Sequence, residues 1–155
     1  MNSAHPDFAH VDSASATDAD LLKLLQASPG NPVKTLNGKL IDIDSARGIA
    51  RMQFEIVPAF CHTQGKVCQG GFLTGMVDTA MSMAGFAKGR LLVDVPTLEI
   101  KVSFLEAMGP GIVFAEGRVT RWGGSVGFLN GDLKDEKGRL IVHATSTIKI
   151  VRLKS

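Results

Sequence analysis

From Gly70 toward Gly89 the apolar residues return every three or four positions, a spacing that predicts one long helix. At 3.6 residues per turn, Leu73, Met76, Val77, Ala80, Met83, Ala84 and Ala87 share one face. Gly71, Gly75, Asp78, Ser82 and Gly85 share the other. A helix surface facing water normally carries Lys, Glu and Arg. This one carries one carboxylate and three glycines, each weakening a helix by about 1 kcal/mol relative to Ala. The pattern implies that something packs closely on the small face, with Asp78 in its middle.

The flanking segments follow other periods. Residues 1–17 are small and polar without a period and predict a mobile leader. Thr17-Asp18 then read as a helix cap, with a short N-terminal helix over 18–28 that the Pro29-Gly30-Asn31-Pro32 run stops. A loosely alternating stretch from Val33 to Ile43, with a bulge or turn at Asn37-Gly38, predicts the first strand. Gly48–Val57 predicts the second, stopped by Pro58. After the helix, Leu98, Ile100, Val102 and Phe104 alternate with Thr97, Glu99, Lys101 and Ser103, the most regular strand pattern in the chain. Strands over 112–122, 126–133 and 140–151 follow, joined by short hairpins. The order predicts an α+β fold, an antiparallel β-sheet wrapped around one long central α-helix, with 33–155 as one domain.

Composition narrows the function. Of 155 residues, 45% are hydrophobic and 21% charged, with a formal net charge of +2. That suits a soluble domain able to bind a polyanion, and no dense Lys/Arg cluster points to nucleic acid. Cys61 and Cys68 lie within a single loop, in neither a disulfide framework nor a zinc or redox motif. No secretory leader or membrane span is legible, so a cytoplasmic location is expected. The Gly123-Gly124-Ser125-Val126-Gly127 run reads as a hairpin turn, since no helix follows it.

The candidate chemistry sits at the start of the long helix. Unsatisfied N–H groups there, at the positive end of the dipole, suit a developing oxyanion, and glycines let a ligand carbonyl approach. Asp78 is open to a structural reading as well, paired with a buried donor.

Gln69-Gly70-Gly71 followed by Asp78 resembles the H-G-G motif, with an acid on the same helix, of the hotdog-fold acyl-CoA thioesterases. The likeness is to the PaaI-like group of the 4-hydroxybenzoyl-CoA thioesterase superfamily. In that group the acid lies eight positions after the first glycine, and 78 − 70 = 8 here. The resemblance runs from about residue 33 to the C-terminus. It includes Pro96-Thr97-Leu98-Glu99-Ile100, Arg121-Trp122-Gly123-Gly124-Ser125 and Asp135-Glu136-Lys137-Gly138-Arg139-Leu140.

The resemblance implies a hotdog fold and hydrolysis of an acyl-CoA thioester to free acid and CoA. It gives Asp78 the role of nucleophile or general base, and Gly70 that of polarising the thioester carbonyl through its N–H. Gln69 stands where the family usually has His, beside Gly71. The slot usually filled by Asn falls on Thr63 by strict count, or on His62 if one residue is inserted, with Gln64 a further candidate. Ser82 and Thr97 compete as the hydroxyl that helps Asp78. Arg90, Lys101, Arg118, Arg121, Lys149 and Arg152 are candidate phosphate contacts. No metal or other cofactor is implied, coenzyme A being part of the substrate. The implied assembly is a homodimer or homotetramer with active sites between protomers. The alternatives are a non-catalytic acyl-CoA binding or sensing module and a hydratase, whose D-x-x-x-x-H pattern is missing because Met83 holds the last position.

Overall fold

The computed structural model describes residues 15–153. Of the leader expected over 1–17, residues 1–14 lie outside the described residues. Helix α1 (Asp18–Ala27) starts at a capping box: the Thr17 hydroxyl accepts from the Asp20 amide, and the Asp20 carboxylate accepts from the Thr17 amide. Its inward residue Leu21 is fully buried. A second short helix follows, α2 (Asn31–Thr35), where the sequence predicts the start of a strand. Pro32 lies in its first turn, where the missing N–H costs nothing. The first strand, β1 (Gly38–Asp44), begins only after Asn37 has turned the chain with φ 52°.

The remaining elements are β2 (Ile49–Ile56), a 3₁₀ turn over Pro58–Phe60, the two-residue strands β3 (Cys61–His62) and β4 (Val67–Cys68), and α3 (Gly70–Lys88). Then come β5 (Val93–Asp94), β6 (Thr97–Phe104), β7 (Gly111–Trp122), β8 (Val126–Asp135), β9 (Leu140–Lys149) and β10 (Val151–Arg152). Six strands form one antiparallel sheet in the order β1-β2-β7-β8-β9-β6. The expectation of four consecutive hairpin-joined strands fails at its first link. β6 pairs with β9 at the far edge, and residues 105–110 carry the chain back to β7.

α3 lies on the inner face of this sheet. Met52, Phe54, Val113, Leu129, Leu133 and Ile148 from the sheet pack against Met76, Val77, Ala80 and Met81 from the helix. Each large side chain buried in this way contributes about 1.5–3 kcal/mol. The helix sits close on the sheet because β7 and β8 place glycines beneath it. A Cβ on Gly117 would lie 2.2 Å from Ala80 O, and one on Gly131 2.6 Å from Val77 Cγ2. That room admits Met81, which is 1% exposed, into the core. Met83, expected there, packs against the core only half-buried and also lines a cleft beneath α1 and α2. Gly85, expected on the open face, is buried against Val95 and Ile148.

β6 forms one edge of the sheet, and its alternation translates into burial only in its middle, where Ile100 and Val102 pack half-buried against the core. Leu98 is 59% exposed, Phe104 52%, and Leu105 just beyond it 51%. A β-bulge at Leu98, between the pairs Thr97↔Ile148 and Glu99↔Thr147, also reverses the facing of Thr97. Without the extra residue Thr97 would share the outer face with Glu99 and Lys101; with it, Thr97 turns toward α3.

Candidate active site

Gln69 sets the start of α3. Its backbone is extended, φ −70° and ψ 135°, and its Oε1 accepts the Gly71 amide at 2.7 Å. Its own amide donates to Phe60 O at 2.9 Å, and the Cys68 amide donates to Met108 O at 2.7 Å, so the chain entering the helix is held from two sides. The Gly71 N–H is therefore occupied by the cap. The Gly70 N–H donates to no described residue and lies at the positive end of the dipole. Over Gly70 lies the Phe104 ring: a Cβ there would stand 2.9 Å from Cζ. Sequence alternation reads Phe104 as core, and nothing in its spacing signals this contact.

Asp78, two turns along α3, is half-buried. The bulge at Leu98 brings Thr97 to it, and the Thr97 hydroxyl donates to Asp78 Oδ1 at 3.0 Å. Among the described residues no Lys, Arg or His pairs with Asp78. Burial pushes its carboxyl above the ordinary Asp value, and the Thr97 hydrogen bond partly opposes that rise. Ser82, one turn further, is half-buried and shares no hydrogen bond with Asp78.

The loop residues His62, Thr63 and Gln64 lie at the tip of the β3–β4 hairpin and are exposed. Thr63, Gln64 and Gly65 all take positive φ, at 53°, 58° and 78°. His62 Nδ1 and Thr63 Oγ1 share a 2.7 Å hydrogen bond, and none of the three side chains bonds to Gln69, Gly70 or Asp78. His143 lies on the outer face of the sheet, its Nδ1 2.7 Å from Asp132 Oδ1. Among the described residues no three His, Cys, Asp or Glu side chains gather as a metal site.

The two halves of this chemistry are far apart in one chain. Eight residues of helix separate Gly70 from Asp78, an axial rise of about 12 Å. Reacting groups need to approach within about 3–3.5 Å, so the two cannot meet at one carbon within a protomer. A cleft of about 410 Å³ lies between α1, α2 and β1, and a depression of about 300 Å³ on the outer face of the sheet; neither touches Gly70 or Asp78.

Residues 65–142, half of the chain, match the family described as the Thioesterase superfamily. A relative from Saccharolobus solfataricus, provisionally named an esterase, is 29% identical over 121 residues, covering 78% of this chain and 84% of that one. A solved structure from Ralstonia eutropha JMP134, provisionally a thioesterase related to phenylacetic acid degradation, superposes with a TM-score of 0.75 at 26% identity. It covers 86% of this chain and 99% of that one. A hypothetical thioesterase from Streptococcus pneumoniae TIGR4, solved with coenzyme A, shares the fold with a TM-score of 0.69 at 19% identity, covering 80% and 94% of the two chains. Matched over half its length and sharing the hotdog architecture, the chain belongs to the Thioesterase superfamily and is a thioester hydrolase.

Proposed function

We propose that the protein hydrolyses an acyl-CoA thioester to the free acid and coenzyme A, at a site that two protomers build together. The observation that carries this reading is the division of labour along α3. An unpartnered Gly70 amide and a half-buried, cation-free Asp78 stand about 12 Å apart on one helix. A two-fold related copy set against the uncovered β6 edge would bring Gly70 of the partner subunit toward Asp78 and Thr97. It would also cover Leu98 and Phe104 and satisfy the open strand edge. A homodimer is the smallest assembly that does this, and a homotetramer would repeat it.

In this site the thioester oxygen lies on the Gly70 N–H, which stabilises the charge that develops as the carbonyl is attacked. Asp78 supplies the electron pair, either by drawing a proton from the attacking water or by attacking the carbonyl itself. The C–S bond then breaks and coenzyme A leaves as thiolate. Thr97 holds one carboxylate oxygen, which leaves the other for the reaction. Single turnover in heavy-oxygen water separates the routes, because label in the Asp78 carboxylate arises only from a covalent intermediate.

The basic candidates for the coenzyme A phosphates narrow. Arg118 is held between Glu116 and Asp132, Arg90 donates to Ser45 and Ala16, and Arg152 to Gly124 O. Lys101, Arg121 and Lys149 are exposed. No described helix is long and apolar enough to cross a membrane, and a cytoplasmic location belongs to the same proposal. The test is a panel of acyl-CoA esters followed by thiol release: the wild type turns over at least one class and Asp78→Asn does not. Tight binding with no release from any ester would leave the binding module.

A further inference from the structure

Cys61 and Cys68 read in the sequence as two residues of one loop, yet the fold makes them cross-strand neighbours. β3 and β4 pair antiparallel with the register Cys61↔Cys68 and His62↔Val67. Hydrogen bonds fix which kind of pair this is. Gln69 N donates to Phe60 O across the same ladder, so Phe60 and Gln69 form a hydrogen-bonded pair and the next, Cys61/Cys68, is the non-hydrogen-bonded kind. The Cys68 amide accordingly points out of the ladder, to Met108 O. Such partners stand about 4.5 Å apart at Cα with side chains on the same face. That separation lies at the short end of the disulfide range, about 4.4–6.8 Å. Each thiol now donates to a carbonyl, Cys61 to Val57 O at 3.6 Å and Cys68 to Gln69 O at 3.7 Å. The two also interact: burial first, then the charge and hydrogen bonding of Cys61, push the Cys68 thiol up to about 11.

We propose that Cys61 and Cys68 form a reversible disulfide site, closed by a small-molecule disulfide, whose oxidised form holds the Gln69–Gly70 turn away from its working position. The second half rests on the proposed function. Cys61 is half-buried and Cys68 buried, so Cys61 reacts first. Its thiolate attacks one sulfur of the oxidant R–S–S–R; the S–S bond breaks, and one RSH leaves with a proton. The Cys68 thiolate then attacks Cys61 Sγ and expels the second RSH. Two thiols have become one disulfide, and two electrons and two protons have passed to the oxidant. The high pKa of Cys68 makes this second step the slower one and speeds it as pH rises. Closure removes the S–H donors from Val57 O and Gln69 O. The latter also accepts the Phe72 amide in the first turn of α3, so the bond acts directly on the residue that aims Gly70.

Oxidised glutathione on the full chain tests this. Both thiols should vanish from titration, the intact mass fall by two hydrogens, and the peptide map join Cys61 to Cys68, all reversed by dithiothreitol. Cys68→Ser should stop at a glutathione adduct on Cys61. In the wild type, closure should slow amide exchange across residues 63–70 and lower turnover about tenfold, a fraction of the loss that follows removal of a whole oxyanion donor. Cys61→Ser should turn over equally with and without oxidant. Two free thiols, or a glutathione adduct that never resolves, would overturn the site. A closed disulfide with unchanged turnover would overturn its link to the turn. A reduced protein inactive on every ester defeats the proposed function instead, while thiol count, mass and amide exchange still read the pair.

Discussion

Gly117 and Gly70 both stand where a side chain would collide, and the atoms they would strike differ. A Cβ on Gly117 would meet Ala80 O at 2.2 Å and the Met81 amide nitrogen at 2.6 Å, both backbone of α3. A Cβ on Gly70 would meet the Phe104 ring at 2.9 Å, a side chain that is half exposed and free to swing away. The first glycine lets helix and sheet touch where neither can yield. The second keeps a free amide beneath a movable cover. The difference puts a rigid backbone contact on the sheet side of α3 and a side chain that can move at its start.

Substitutions on the two sides should separate along the same line. The largest effect is expected from Asp78→Asn, with kcat in the thiol-release assay falling roughly 10³-fold, or about 4 kcal/mol of barrier. The melting temperature should not fall. Burial raises the Asp78 pKa in the fold, so the ionised carboxylate costs stability as pH climbs through that value, and Asn removes this cost at neutral pH but not at low pH. A destabilised Asn variant would put Asp78 with the structural residues.

Next comes Gly70→Pro. Gly70 is the first residue of α3, a position proline fills well, and Gln69 already has the extended backbone that proline requires before it. The N–H is lost while the half-exposed Phe104 ring swings aside from the added Cβ, and kcat should drop about 10²-fold with little change in KM. Full kcat in a folded Pro variant would take Gly70 out of the chemistry. Gly117→Ala should do the reverse, lowering stability in urea by about 3 kcal/mol because backbone cannot move aside, while the folded fraction keeps its kcat. The smallest effect belongs to Thr97→Val. Its hydroxyl lowers the Asp78 pKa, so its removal should move the acid limb of kcat/KM to higher pH. Ser82→Ala should leave that limb in place, and equal shifts in both would deny Thr97 its role.

Much of this was legible in the sequence, and what was not has identifiable causes. The start of α3 at Gln69-Gly70-Gly71 and its end near Gly89 are local signals, as are the Thr17 cap and most strand limits. Pro32 misled because a proline that ends one helix can also sit in the first turn of another. The facing of Thr97 depends on one extra residue at Leu98, which period-two alternation does not register. Met81 is buried more deeply than Met83 because glycines on distant strands opened the room, a fact of tertiary pairing. The regular pattern of β6 promised a buried apolar face. The chain packs Ile100 and Val102 against its core and leaves Leu98 and Phe104 open, since a pattern shows that a surface needs covering and not which molecule covers it.

The central claim is that Gly70 from one protomer and Asp78 from the other serve one thioester, and subunit mixing tests it most directly. Gly70→Pro and Asp78→Asn chains, each slowed about 100-fold or more alone, are unfolded together and refolded at equal concentration. A site shared between protomers predicts that activity returns, to about a quarter of the wild-type sites, because half of the dimers are mixed and each mixed dimer holds one intact pair. Mixed dimers that form and stay as slow as their parents would contradict it.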